Sequence, residues 1–213
     1  MKLFDMIVGE EEVEGQGIRG VAIAVVTNNQ DPENLGRIKI QYPWRDNEDE
    51  SYWARCVAFM AGNERGGYFL PEVEDEVLVA FENGDVDHPV CLGSLWSGKM
   101  KPPETNADGQ NNRRLIKSRS GHLFILDDTE GNEKIELIDK SGNNLLRIDT
   151  GSNTIEITSS QDINLKAPQG KISLECRQLE LKSTATAKLE SRGNMTLKAT
   201  GNASLKGAIV MIN

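Results

Sequence analysis

Through the last 60 positions, apolar residues recur as pairs two apart, and the pairs recur about every eight residues. They are Ile155/Ile157, Ile163/Leu165, Ile172/Leu174, Leu179/Leu181, Ala187/Leu189, Met195/Leu197 and Ala203/Leu205, with steps of 8, 9, 7, 8, 8 and 8 between second members. Side chains two apart share one face of a strand, so each octad predicts a short strand with one apolar side. Gly193-Asn194 and Gly201-Asn202 place turn-permissive residues between such strands. A fixed period of this kind predicts a β-solenoid.

Upstream the pattern changes. Residues 18–97 read as five short strands: an apolar run from Ile18 to Val26, the alternating stretch 37–42, then 52–60, 76–82 and 90–95. Asn83-Gly84-Asp85 predicts a hairpin turn between the last two. Five strands in about 80 residues, with no helical period, predict a small OB-type barrel. From 115 to 153 the chain alternates between turns at Gly131-Asn132, Gly142-Asn143 and Gly151, which predicts longer β excursions ahead of the octads. The expected organisation is thus an acidic segment (1–17) that is either a disordered tail or a docking strand for another protein, a barrel (18–97), a linker (98–114), a β-rich transition (115–153) and a spike (154–213).

Composition sharpens that division. All three Trp, all three Tyr and four of five Phe precede residue 100, so only the first half can build an aromatic core. The segment SGKMKPPETNADGQNN has Pro102-Pro103 and no apolar period, as a linker should. Residues 1–100 carry 8 Lys/Arg against 19 Asp/Glu, a net of −11, whereas 101–213 carry 16 against 14, a net of +2. An acidic barrel repels phosphate backbones, which argues against nucleic acid as a partner. Cys56, Cys91 and Cys176 are odd in number and lack metal-like spacing, so buried reduced thiols are expected. The start MKLFDMIVGEEEVEG lacks a signal-peptide core, and no stretch nears the ~20 apolar residues of a membrane span. Synthesis in the cytoplasm is the expectation.

The segments DPENLGRIKIQYPW (31–44), SYWARC (51–56), GGYFLPEVEDEVLVAFENGDVDHPVCLGSLW (66–96) and RRLIKSRSGHLFILDD (113–128) carry a resemblance. They resemble the spike proteins of contractile injection machines: the bacteriophage baseplate V proteins and the C-terminal half of type VI secretion VgrG proteins. The resemblance implies an all-β chain, with an OB-type domain followed by an intertwined trimeric β-helix needle. It implies a non-enzymatic, membrane-puncturing spike assembled into a virion baseplate or injection particle and meeting the target cell envelope only transiently. No hub portion precedes the barrel here, so a separate hub protein at the barrel end is expected.

The octad count agrees with a trimer on physical grounds. Seven octads give a lone chain little more than two coils at three octads per coil, and solenoids need about three stacked units and caps. Three intertwined chains give 21 octad strands around one dry axis. The expected trimer-core residues are Ile155, Ile157, Ile163, Leu165, Ile172, Leu174, Leu179, Leu181, Leu189, Met195, Leu197 and Leu205. At the end, Ile209, Val210, Met211 and Ile212 break the alternation; they either fill the trimer interior or form a platform for a separate tip protein. The resemblance favours the platform, capped by a PAAR-type protein.

Catalytic chemistry finds little support. His88 and His122 lie in different segments, and no His-x-His pair stands near the end, so neither a tip metal nor any cofactor is expected. Asp127/Asp128, Asp46 to Glu50 and Glu72 to Glu76 read as solvated turn carboxylates; acid/base work would need opposed environments in a pocket. Octad Ser and Thr residues have no His nearby to activate them. Arg37, Trp44, Trp53 and Arg55 fall at positions matching the family, with buried packing and arginine bridging as the plain reading. The competing readings are a β-solenoid polysaccharide-degrading enzyme and an OB-domain binding module.

Overall fold

The structure is a computed structural model and describes residue 18, residues 20–45 and residues 50–211. It divides into two units at Gln161/Asp162. Within the described residues it is all-β save one 3-10 turn at Glu82–Gly84, and no helix is long and apolar enough to cross a membrane.

The first unit holds a barrel sheet built from β1 (Val21–Asn28), β2 (Lys39–Gln41), β3 (Arg55–Cys56), β6 (Glu76–Phe81) and β7 (Pro89–Ser94), in the order β2-β1-β6-β7-β3. The two edge strands meet through an Ile38–Ala54 bridge with hydrogen bonds of 2.7 and 3.0 Å in both directions, which curls the sheet toward closure. All pairs are antiparallel except β3–β7. That order and its one parallel seam fit an OB-type barrel.

Alternation explains the core. On β6, Val77, Val79 and Phe81 point inward; on β1, Ala24 and Val26 do. With Ile38, Ile40, Tyr42, Ala54 and Cys91 they form one buried cluster. Register shifts at Val26/Asn28 and Leu78/Val79 bend the strands, as tight curvature requires. Tyr42 keeps its ring in the core, 5.9 Å from Phe81, while its hydroxyl donates to the Val86 carbonyl at 3.2 Å.

Two expectations need correction here. The strand read over 52–60 forms ladder pairs only from Ala54 to Cys56; the chain then leaves the barrel as a hairpin, β4 (Ala61–Gly62) with β5 (Arg65–Gly66). Its turn passes through Glu64 at φ +53°, a conformation that no glycine there announces. Trp44, read as buried, is half exposed and only tilts against Tyr42 at 5.2 Å.

The β1–β2 loop is fastened by an ion pair. Arg37 donates through Nε and a terminal nitrogen to both Asp31 oxygens at 2.8 Å, and the backbone N–H groups of Glu33, Leu35 and Arg37 also donate to Asp31. Gly36, at φ +70°, lets the loop turn back onto the carboxylate. The Arg37 contact, aided by those N–H groups and opposed by burial, holds the Asp31 carboxyl far below the usual range. A depressed carboxylate contributes stability that is complete above its unfolded value, about 3.9, and is lost as pH falls further. The barrel melting midpoint should therefore fall below about pH 4. In Asp31→Asn the midpoint should start lower and fall less; an unchanged acid limb would refute the assignment.

The first unit also contains an antiparallel meander, β8 (Arg113–Lys117), β9 (Leu123–Asp127), β10 (Lys134–Ile138), β11 (Leu145–Asp149) and β12 (Thr154–Thr158), in sequence order across the sheet. Its turns run through Gly121, Gly131 and Gly142, with Asn153 at the last. Asp139 organises the β10–β11 turn by accepting from Ser141 and Asn144, which holds its carboxyl down at about 2.

The second unit, from Asp162, is extended chain without a strand ladder among its described residues. Local contacts such as Gly170 N–H to the Ala167 carbonyl (3.2 Å) and Ser183 to the Thr186 carbonyl (3.0 Å) shape its bends.

Candidate functional site

Registers across the meander sort its side chains into two faces. One face carries the rows Arg114–Leu126–Ile135–Ile148–Ile155 and Ile116–Phe124–Leu137–Leu146–Ile157. Nine of those ten residues are apolar. The opposite face carries Leu115–Ile125–Glu136–Arg147–Glu156, flanked by rows that include Arg113, Asp127, Lys134 and Asp149.

Burial is reversed relative to this chemistry. Ile135, Leu137 and Ile148 are 41–47% exposed, and Ile155 and Ile157 rise to 72% and 61%, whereas Glu136 on the charged face is only 6% exposed. Glu136 survives there because Arg147 Nε donates to it at 2.7 Å; a terminal nitrogen of Arg147 also reaches Glu156 at 3.2 Å. The Glu136 contact raises the Arg147 pKa and keeps it charged. Water against these two apolar rows is unfavourable at ~25 cal/mol per Å², so this face is built to be covered.

The octads have the same character. Ile163, Leu165, Ile172, Leu174, Leu179, Leu181, Leu189, Met195, Leu197 and Leu205 are all exposed, from 48% at Met195 to 85% at Leu197. Cys176, expected to be buried, is exposed as well, and continues the Ile172/Leu174 alternation. Ile209, Val210 and Met211 are exposed at the end; Ile212 lies outside the described residues, as does the acidic tail 1–17.

The polar candidates are engaged locally. His122 Nδ1 accepts the Lys140 backbone N–H at 3.2 Å, and exposed His88 contacts Asp85 at 2.8 Å. Asp127 accepts from Thr129 at 2.6 Å, which lowers its pKa, while Asp128 pairs with Arg114. Glu72 pairs with Arg119 at 3.0 Å and Glu50 with Lys39 at 2.9 Å; Asp46 to Asp49 lie outside the described residues. Each of these carboxylates has a cationic or hydroxyl partner close by. Arg37 bridges as expected and lies 6.0 Å from the Trp53 ring, but Arg55 is exposed and pairs with Glu82.

A curled five-strand barrel, a meander with an uncovered apolar face and a periodic unpaired tail together define a chain made for assembly. Residues 22–96 match the type VI secretion system/phage-baseplate injector OB domain, so this barrel is a domain of that family. The chain is 31% identical over 132 residues to the type VI secretion system spike protein VgrG3 of Vibrio cholerae, covering 56% of this chain and 13% of that protein. It is 29% identical over 125 residues to VgrG2a of Pseudomonas aeruginosa, covering 54% and 15%. The actin cross-linking toxin VgrG1 of Vibrio cholerae matches at 31% over 132 residues, 12% of its length. The chain is thus similar over about half its length to spike proteins of the type VI secretion class, and the match spans about an eighth of those relatives.

Proposed function

We propose that this chain is the central spike of a phage baseplate or related contractile injection system, assembled as a homotrimer and acting by force transmission rather than catalysis. The reading rests on one observation: the apolar rows of the meander and the octad pairs are uncovered in the single chain. Threefold intertwining would turn every octad pair toward a common axis. It would also give the unpaired backbone of residues 162–211 strand partners from other copies. The outward positions, such as Thr196, Lys198 and Thr200, are polar and suit a shaft sliding within a tube. A separate hub protein would hold the barrel end. A PAAR-type tip protein would seat on Ile209, Val210, Met211 and Ile212.

Light scattering decides the central claim. The expected mass is three times 23.5 kDa; a clean monomer at assembly concentrations would sink it. Removing residues 208–213 should leave that mass ratio intact while abolishing retention of the tip protein. Retention by the truncated trimer would overturn the platform.

A further inference from the structure

The barrel's parallel seam places two cysteines opposite each other. In the β3–β7 register Cys56 faces Cys91 and Arg55 faces Val90, and these two pairs are the whole seam. Val57 N–H donates to the Cys91 carbonyl at 2.8 Å, fixing the local register. Paired residues on neighbouring strands send their side chains to the same face. Their Cα atoms stand about 4.8 Å apart across a sheet, inside the roughly 4.4–6.8 Å that a disulfide spans.

The two thiols differ in access. Cys91 is 1% exposed within the core, while Cys56 is half buried. Cys56 also lines a cavity of about 580 Å³ with Leu35, Val57, Met60, Tyr68 and Phe69, beside the β4–β5 hairpin. The Cys56 S–H lowers the Cys91 pKa, and the same contact, with burial, pushes Cys56 up. One proton of the pair thus leaves more readily than the other, and the remaining S–H steadies the thiolate.

We propose that Cys56 and Cys91 form a redox-responsive pair that closes to a disulfide across the β3–β7 seam when the folded chain meets a disulfide oxidant. As Cys56 Sγ attacks the oxidant RS–SR through the cavity, the Cys91 thiolate takes the Cys56 proton. This leaves Cys56–S–SR and releases RS⁻, which takes up a proton. Cys91, losing its proton, then attacks Cys56 Sγ and expels the second RS⁻, again protonated as RSH. Two protein thiols are oxidised and one RS–SR is reduced to two RSH. The product ties the shortest seam of the barrel and closes a loop over residues 57–90. The pair lies 35 positions apart in sequence, which is why spacing alone gives only three reduced thiols. The inference is independent of the trimer.

The test uses the full chain carrying Cys176→Ser, incubated folded with oxidised glutathione, then alkylated, digested and weighed by mass spectrometry. The expected result is joint loss of both thiols, a linked Cys56–Cys91 peptide, no retained glutathione, and a higher melting midpoint that dithiothreitol reverses. With Cys91→Ala added, glutathione should instead remain on Cys56; with Cys56→Ala, Cys91 should stay unmodified. Two free thiols in the folded chain, or a lasting glutathione adduct on Cys56 while Cys91 is present, would overturn the proposal. The parent chain decides this even where a variant fails to fold.

Discussion

Leu165→Asp and Leu197→Asp are each expected to convert a particle of three chains into single chains. Both positions are more than two-thirds exposed in the lone chain, so neither carboxylate disturbs a contact that chain makes by itself. In a threefold needle each substitution occurs three times around one axis. Every copy loses the burial of a leucine, about 1.5–3 kcal/mol, and gains the desolvation of an ion, several kcal/mol more. Three copies exceed the roughly 5–15 kcal/mol of a typical domain. Lys166→Asp and Lys198→Asp, one residue further along and on the opposite face, should leave the particle mass unchanged. Light scattering on the four variants reads the phase of the octads. Equal behaviour of neighbouring positions would mean that the phase is wrong.

The second large effect lies in the barrel. Ile40 is fully buried, pairs with Val26 across β1–β2 and accepts the Ser51 N–H at 2.8 Å through its carbonyl. Ile40→Ala leaves a cavity in a cluster of ten side chains and should cost about 2–5 kcal/mol. Ile23→Ala, on the outer face of β1 and 49% exposed, is the matched control and should cost little. Guanidinium unfolding followed by tryptophan fluorescence isolates the barrel, because Trp44, Trp53 and Trp96 all lie in the first 100 residues. A midpoint shared by the two variants would show that the cluster is not the barrel's stabilising core.

Much of the barrel is legible in the sequence because one face of each strand is buried. Val77, Val79 and Phe81 alternate with half-exposed neighbours, and the reading of 76–82 as a strand follows directly. The stretch 52–60 misleads because Tyr52, Trp53, Val57 and Phe59 supply apolar content without being core; Phe59 is 81% exposed. The Asp31–Arg37 clasp needs the loop path, since five separate donors converge on one carboxylate. The octad residues are visible as a pattern, and their exposure in the single chain fits the idea that their partners lie elsewhere. The meander's apolar face is harder to see. It is spread over five strands, two residues from each, and only the register from Arg113↔Asp127 to Asp149↔Thr154 collects them.

A meander whose oily rows point outward is not finished by the chain that carries it. The barrel draws its ten core side chains from one polypeptide and can mature at any dilution. On the trimeric reading, the remainder matures at a rate that climbs steeply with the number of copies nearby. Chains released far apart would wait half-finished, with adhesive surfaces open to the wrong neighbours. Copies emerging together from one message would wait least. Where in the cell the chain is translated, and how densely ribosomes load its message, would then set the yield of usable particles as firmly as any contact within the chain.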